Sequence, residues 1–404
     1  MYVTVGQKAL KTAVSTVQTI AGTGRTQLPI LKHLLLVADA TGLRFCASNE
    51  ETSIQYRLQA DVQASGTALL PAHLFSRFVQ DLPAAPITLV LPSPTDPTAV
   101  QVRCQSVKAN IRIGAMPSEE FPRISHATDG CRDLLTVDCE LLREIIDQVA
   151  FAAGTDPSRP VLEGIRVAFA SGRASFGAAD AFRLAVRSIA LPDPQVSAEV
   201  IIPAQTMRQV ARLLPASGAV RIALSPSGHQ ALFHTQDMDL STRLVEGTFP
   251  DFRPLLSIQA ATRVVLPTHV LAAAVQLMVP FARENQHQLR LQTLQERPGE
   301  AAALVLEAEA PDLGANEMRL TESVTVTDPD LRIQVNEGWL AETLAAVSTP
   351  QVALEFTDAA RPIVVRPVSP LDGVYVIMPL YVRPMPASAP EPQGVSVPDA
   401  TAAR

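Results

Sequence analysis

Few residues in this chain of 404 could act on a chemical bond, and their spacing argues against it. Seven histidines are scattered, with no HExxH pair among them, so no zinc-hydrolase helix is written. Cys46, Cys104, Cys131 and Cys139 make neither a CxxC nor a metal-type spacing. Cys46 and Cys104 fall in the strand-like runs GLRFCAS and VQVRCQS, and read as buried free thiols of a reducing compartment. AGTGRTQ (21–27) contains G-x-G but lacks the third glycine and follows a helical pattern, whereas a dinucleotide site opens after a strand. There is no P-loop and no GxSxG. Asp180 and Arg183 in DAFRLA could be drawn as a catalytic pair, but they read better as an ion pair supporting a turn. No enzyme, metal or cofactor is expected.

Binding chemistry remains. Apolar residues make up 47% of the chain and charged residues 18%, a globular balance. The length allows about two to four domains. No apolar run approaches the roughly 20 residues that span a bilayer. MYVTVGQKALKTAV lacks the parts of a signal peptide, so a soluble cytoplasmic protein is expected. With a net charge of −7, contact with nucleic acid must come from local basic patches.

The elements that position such patches are written three times. Each copy opens with a strand and an amphipathic helix: YVTVGQKALKTAVSTV, LLTVDCELLREIIDQV and TRVVLPTHVLAAAVQLM. Alternating strands follow, then a second strand–helix unit: ALLPAHLFSRFVQDLP, VIIPAQTMRQVARLLP and IQVNEGWLAETLAAVS. A hairpin region closes each copy. The helices are read from period: Leu10, Val14 and Val17 make one stripe, and Phe75, Phe78, Val79 and Leu82 another. Two Phe-Pro phrases, EEFPRI (119–124) and EGTFPDFRPLL (246–256), end the first two copies. The expected architecture is α+β, three tandem domains of two helices on antiparallel sheet, at 1–127, 128–254 and 255–382. Residues 383–404 carry several prolines and almost no large apolar side chain, the composition of a disordered tail.

This triplication, with RTQLPIL (25–31), EEFPRI, DAFRLA (180–185), VEGTFPDF (245–252) and YVIMPL (375–380) in order, resembles the bacterial DNA polymerase III beta subunit, the sliding clamp. The resemblance covers residues 1 to about 382. It implies a head-to-tail homodimer, six domains in a closed ring whose helices surround double-stranded DNA. A clamp that slides must touch phosphates without reading bases. Lys8, Lys11 and Arg77 of the first domain, and Arg143, Arg208 and Arg212 of the second, lie on helix faces opposite the apolar stripes. Arg25 stands where the family carries a DNA-facing arginine, and Arg159 and Arg283 lie in comparable loops. The plain alternative for any one of them is a solvated helix face. In the third domain His269 faces out from one helix and Glu337 and Glu342 from the other, so DNA is expected to lean toward the first two domains.

The resemblance also implies a ring interface and a partner pocket. The interface would set Lys108, Ile111 and Ile113 against Val279 and Phe281 of the second subunit, beside the unusual Pro280. The pocket, where a replicative polymerase or clamp loader docks a short linear peptide, would lie between the second and third domains. Its walls would be Leu162, Ala179, the turn Ala181, Phe182, Arg183, Leu184, then Pro250 and Leu255, the lone Trp339, and Val376, Ile377, Met378, Pro379 and Leu380. Two departures stand out. Ala181-Phe182 replaces the family's Gly-His, and Pro254 follows Arg253 where a second basic residue is common. A more apolar pocket with its own peptide preference is expected. The rival reading is a tandem-domain binding scaffold that never encloses DNA.

Overall fold

The computed structural model describes residues 1–22, 28–91, 99–107, 109–114, 121–122, 124, 130–191, 196–294, 302–321, 325–327, 331–368 and 372–380. Arg25, Lys108, the 383–404 tail and the side chain of Ile111 lie outside the described residues. Seven α-helices are described: α1 (Gln7–Gln18), α2 (Ala72–Asp81), α3 (Cys139–Ala150), α4 (Ala204–Leu213), α5 (Arg253–Leu256), α6 (Thr268–Glu284) and α7 (Glu337–Ala346). They pack as pairs, α1 with α2, α3 with α4 and α6 with α7, one pair to each copy, while α5 is a single turn in the second linker.

Local chemistry explains where the helices start. Pro71, Pro203 and Pro267, each with φ fixed between −51° and −61°, are the last extended residues before α2, α4 and α6. Asp138 caps α3 by accepting from the Glu140 N–H at 2.8 Å, and Asn336 caps α7 by accepting from the Trp339 N–H at 3.1 Å. The apolar stripes then bury as their period predicts: Leu10, Val14 and Val17 on α1, Phe75 and Val79 on α2, Met207 and Val210 on α4. Pro280 does not end α6, which runs 17 residues. It removes the donor for the Gln276 carbonyl, but both residues are exposed, so water can serve that oxygen.

The strands make four antiparallel sheets among the described residues, and two of them cross domain limits. The third strand after the first helix carries a junction in the first and second copies. The last strand of the second copy, Met238–Arg243, pairs with Thr52–Leu58, the third strand of the first copy. The last strand of the third copy, Gly373–Ile377, pairs in the same way with Arg183–Ala190 of the second. Eight- and nine-stranded sheets result, with a five-stranded sheet at one end of the chain and a four-stranded sheet at the other. One continuous apolar core runs through all three copies. Two smaller clusters lie outside it, each holding the phenylalanine of a Phe-Pro phrase: Phe121 in one, Phe249 in the other.

Candidate functional site

The second Phe-Pro phrase builds the larger satellite cluster. Phe249 and Phe252 meet edge to face, 6.1 Å apart at 85°, and both are buried. Each contributes about 2–3 kcal/mol of apolar burial. Phe252 fits between the Arg166 guanidinium, 5.3 Å from its centroid, and Gly177, where a Cβ would meet the ring at 3.0 Å. Leu184 and Val376, cross-strand partners at the junction, complete the floor with Val186, Val364 and Val374. Leu162, Ala179 and Leu255 lie half-buried over it, with Val161, Leu256 and Ile258. Asp251 holds the start of α5 by accepting from Arg253 N–H and Nε at 3.1 and 2.8 Å, and these bonds lower its carboxyl to about 2. Pro250 is exposed above this turn. Met378, Pro379 and Leu380 are half-buried, but Ile377 does not belong to this cluster. Strand alternation turns Ile377 into the main core, fully buried, while Val376 faces the satellite cluster.

The DAFRL turn projects from the junction. Asp180 accepts from the N–H groups of Phe182 and Arg183, both at 3.0 Å, and Ala181 adopts φ +80°. Arg183 is wholly engaged, as its ion pair with Asp180 (2.8 Å) suggested. It also bonds Glu342 of α7 at 2.5 Å and lies over Phe151, so it ties the second domain to the third. Phe182 stacks on Trp339 across the same seam, centroids 5.1 Å apart at 19°.

Beneath this turn a polar network crosses the seam. Arg187, 5% exposed, donates to Gln148 Oε1 at 3.0 Å, and Gln148 donates to Glu144 and to Ser348 beyond α7. Here α3 and α7 flank a groove of about 660 Å³ whose lining includes Glu140, Glu144, Asp147 and Glu342.

The basic residues sort into two kinds. Lys8, Lys11, Arg77, Arg159, Arg212 and Arg283 are exposed. Arg143 and Arg208 are not free to reach a phosphate in the way their helix positions suggested. Arg143 donates to the carbonyls of Ala211, Leu214 and Pro215 (3.0, 2.9 and 3.0 Å) at the end of α4, and Arg208 donates to the Ala150 carbonyl at the end of α3. The antiparallel pair is thus capped reciprocally, each arginine satisfying orphan carbonyls of its neighbour. Burial, with Arg212 nearby, lowers the Arg208 guanidinium. Glu337 needs correction too. It is 1% exposed, paired with His287 at 2.9 Å and 4.0 Å from Arg283, so it does not face outward.

Among the edge strands of the four sheets, two are counterparts of the strands that form the junctions. Ala109–Gly114, the last strand of the first copy, ends the five-stranded sheet; Gly314–Leu320, the third strand of the third copy, ends the four-stranded one. Ile113 is a core residue, 4% exposed, and not a surface contact. Val279 and Phe281 are half-buried. The exposed apolar residues near the second edge are Leu277 (57%) and Leu313 (73%), with Val107 (55%) next to the first. The sequence reading missed these three. Leu277 was findable, because it stands off the buried stripe of α6.

Three strand–helix copies joined by shared sheets, with helices in pairs, define the architecture of a DNA clamp. The matches to known proteins specify it. The N-terminal, central and C-terminal domain models of the DNA polymerase III beta subunit match residues 1–125, 136–251 and 255–381. The beta sliding clamp of Streptomyces coelicolor is 28% identical over 343 residues, 84% of this chain and 86% of that one. The clamp of Caulobacter vibrioides is 28% identical over 392 residues, 95% and 100% of the two chains. The solved Bacillus subtilis sliding clamp superposes with a TM-score of 0.86 at 22% identity, covering 95% of this chain and all of that one. A Pseudomonas aeruginosa clamp bound to griselimycin gives 0.84 at 24%, with the same coverage. The chain belongs to the DNA polymerase III beta subunit family, the bacterial sliding clamps, and its function is that of a processivity clamp in DNA replication.

Proposed function

We propose that two copies of this chain, with domains at 1–127, 128–254 and 255–382, close head to tail around double-stranded DNA. One topological observation carries the reading. Both internal junctions join a last strand to the third strand of the preceding copy. One last strand and one third strand are left at opposite ends of the chain, Ala109–Gly114 and Gly314–Leu320. A second copy completes the same junction twice and covers these two edges on each chain. Arg103 and Arg112 are exposed beside the first edge, and Glu309, Glu317 and Arg319 beside the second. Leu277, Leu313, Val107, Val279 and Phe281 supply the apolar part.

Within the ring Lys8, Lys11, Arg77, Arg159, Arg212 and Arg283 contact phosphates without reading bases. The acidic α3–α7 groove repels the duplex, so it rides toward the first domain and α4. The groove around Leu162, Ala179, Leu184, Pro250, Leu255, Trp339, Val376 and Met378 takes short linear peptides of the replicative polymerase and clamp loader, a few anchors in an apolar site. The chain does no chemistry of its own and works on the chromosome in the cytoplasm, away from the membrane.

Sizing and loading test this together. The protein should run as a dimer of 43.2 kDa chains. Once loaded on nicked circular DNA by a clamp loader, it should come off when the circle is cut. A monomer that stays on linear DNA would establish instead the non-encircling scaffold, which the acidic α3–α7 groove favours. Griselimycin binding that disappears in Leu255→Ala would test the groove separately.

A further inference from the structure

The most exposed aromatic ring of the groove is held in place by backbone restraints. Phe182 is 54% exposed. Asp180 accepts from its N–H at 3.0 Å, its own carbonyl accepts from the Met378 N–H at 2.7 Å, and the preceding Ala181 takes φ +80°. A side chain other than glycine rarely adopts that conformation, and such local strain persists only where the surroundings over-determine it. Its result is to lay the Phe182 ring on Trp339, 5.1 Å away and 19° from parallel, across the seam. Trp339 is held in turn by the capped first turn of α7.

The groups around this pair limit what it can recognise. Arg183, the nearest cation, is already committed to Asp180, Glu342 and the Phe151 face. The two nearby carboxylates are the ones it pairs. What the turn offers a visitor is therefore a π face, placed between Ala179 and Leu184, two residues of the satellite cluster.

We propose that Phe182, backed by Trp339, is the specificity-determining residue of the groove: an aromatic plate that takes an aromatic side chain of the docked peptide by stacking. This rests on the reading of the groove as the partner site. Offset stacking on a preformed ring favours an aromatic over an aliphatic residue by up to about tenfold. The plate provides no hydrogen-bonding group of its own, so an amide at that peptide position gains nothing there.

The test uses the full-length protein and four acetylated hexapeptides. All carry two leucines at the C-terminal end and differ only in the residue before them: Phe, Leu, Gln or Arg. Calorimetry should find the Phe peptide about tenfold tighter than the Leu and Gln peptides. Trp339, the only tryptophan, should change its emission as that peptide binds. Phe182→Ala should bring the Phe peptide within about twofold of the Leu peptide, the Phe peptide losing several-fold more affinity than the Leu peptide, with the urea midpoint confirming the fold. A preference that survives in Phe182→Ala overturns the proposal, as does a uniform loss across the panel or an intact protein that favours Gln or Arg. If no peptide binds the intact protein, the partner-site reading falls and the plate with it; binding without aromatic preference removes the plate alone.

Discussion

The two junctions inside the chain use the same ladder and differ in what surrounds it. Each pairs five residues, Met238–Thr242 with Thr52–Tyr56 in the first and Arg183–Arg187 with Gly373–Ile377 in the second. At the first, Asp239 is 3% exposed and binds both Arg57 (2.7 Å) and His234 (2.5 Å), and the Thr52, Thr206 and Thr242 hydroxyls cluster nearby. Among the described residues its Phe-Pro satellite holds four buried residues, including Phe121 and Cys46. The second satellite holds eight, because Phe252 and the strands of the third domain join Phe249. That larger floor carries half-buried aliphatic groups and an exposed Phe182. Equal backbone pairing therefore leaves room for different duties: the first junction is closed with polar groups, and the second keeps an apolar surface open.

Breaking the first junction should have the largest effect. Asp239→Ala strands Arg57 and His234, and should lower stability by about 3 kcal/mol. That is the low end for a broken buried pair, since a third of each partner's side chain reaches water. Urea denaturation measures it, and peptide binding at the second junction should stay within about twofold. At the second junction the pattern reverses. Pro250→Ala with Leu255→Ala should weaken peptide binding by tenfold or more, about 1.4 kcal/mol, with the dimer intact by sizing. If dimerisation failed instead, the stretch would be only a hinge.

The helix faces test whether exposure separates DNA-binding residues from caps. Lys8→Ala with Lys11→Ala should reduce the slope of log K against log salt by about 2, near 0.9 for each phosphate no longer neutralised. Arg143→Ala should leave that slope alone and cost about 1 kcal/mol of stability, the value of a helix-end cap. Equal slopes in the two variants would return Arg143 to the DNA face.

Much of this was legible from periodicity and repetition. The paired helices and the strand runs follow from residue patterns that recur three times, and the Phe-Pro phrase recurs twice. Side-chain destinations were less legible. Arg143 and Arg208 sit where a helical wheel points outward, but the length of arginine lets each fold back onto the next helix's open carbonyls. Glu337 looked exposed by position, and is buried because His287 and Arg283 reach it from the end of α6. Ile377 was misassigned because a strand sends neighbours to opposite faces, and a carried-over run of consecutive residues ignores that alternation; Ile113 instead sits on the core face of its edge strand. Lone apolar residues such as Leu313 give no period to read.

Alkaline unfolding offers the smallest and sharpest separation of the junctions. Cys46 lies in the first satellite, and burial pushes its thiol from an ordinary 9 up to about 12, with Asp239 adding and Arg44 opposing. Tyr375, in the last strand of the second junction, is raised from 10, also mainly by burial. A raised pKa means that the unfolded chain gives up its proton first. The stability these groups contribute is full below their unfolded values and is lost as pH rises through the folded ones. The first junction should therefore begin to weaken above pH 9, and the second only above pH 10. Cys46→Ala should flatten the fall in urea stability between pH 9 and pH 10 by up to one proton per chain. Tyr375→Phe should leave that interval unchanged and act only at higher pH. Cys139, raised as well, titrates in all three proteins and cancels from the comparison. Parallel pH profiles for Cys46→Ala and the intact chain would mean that the thiol does not stay protonated in the first satellite.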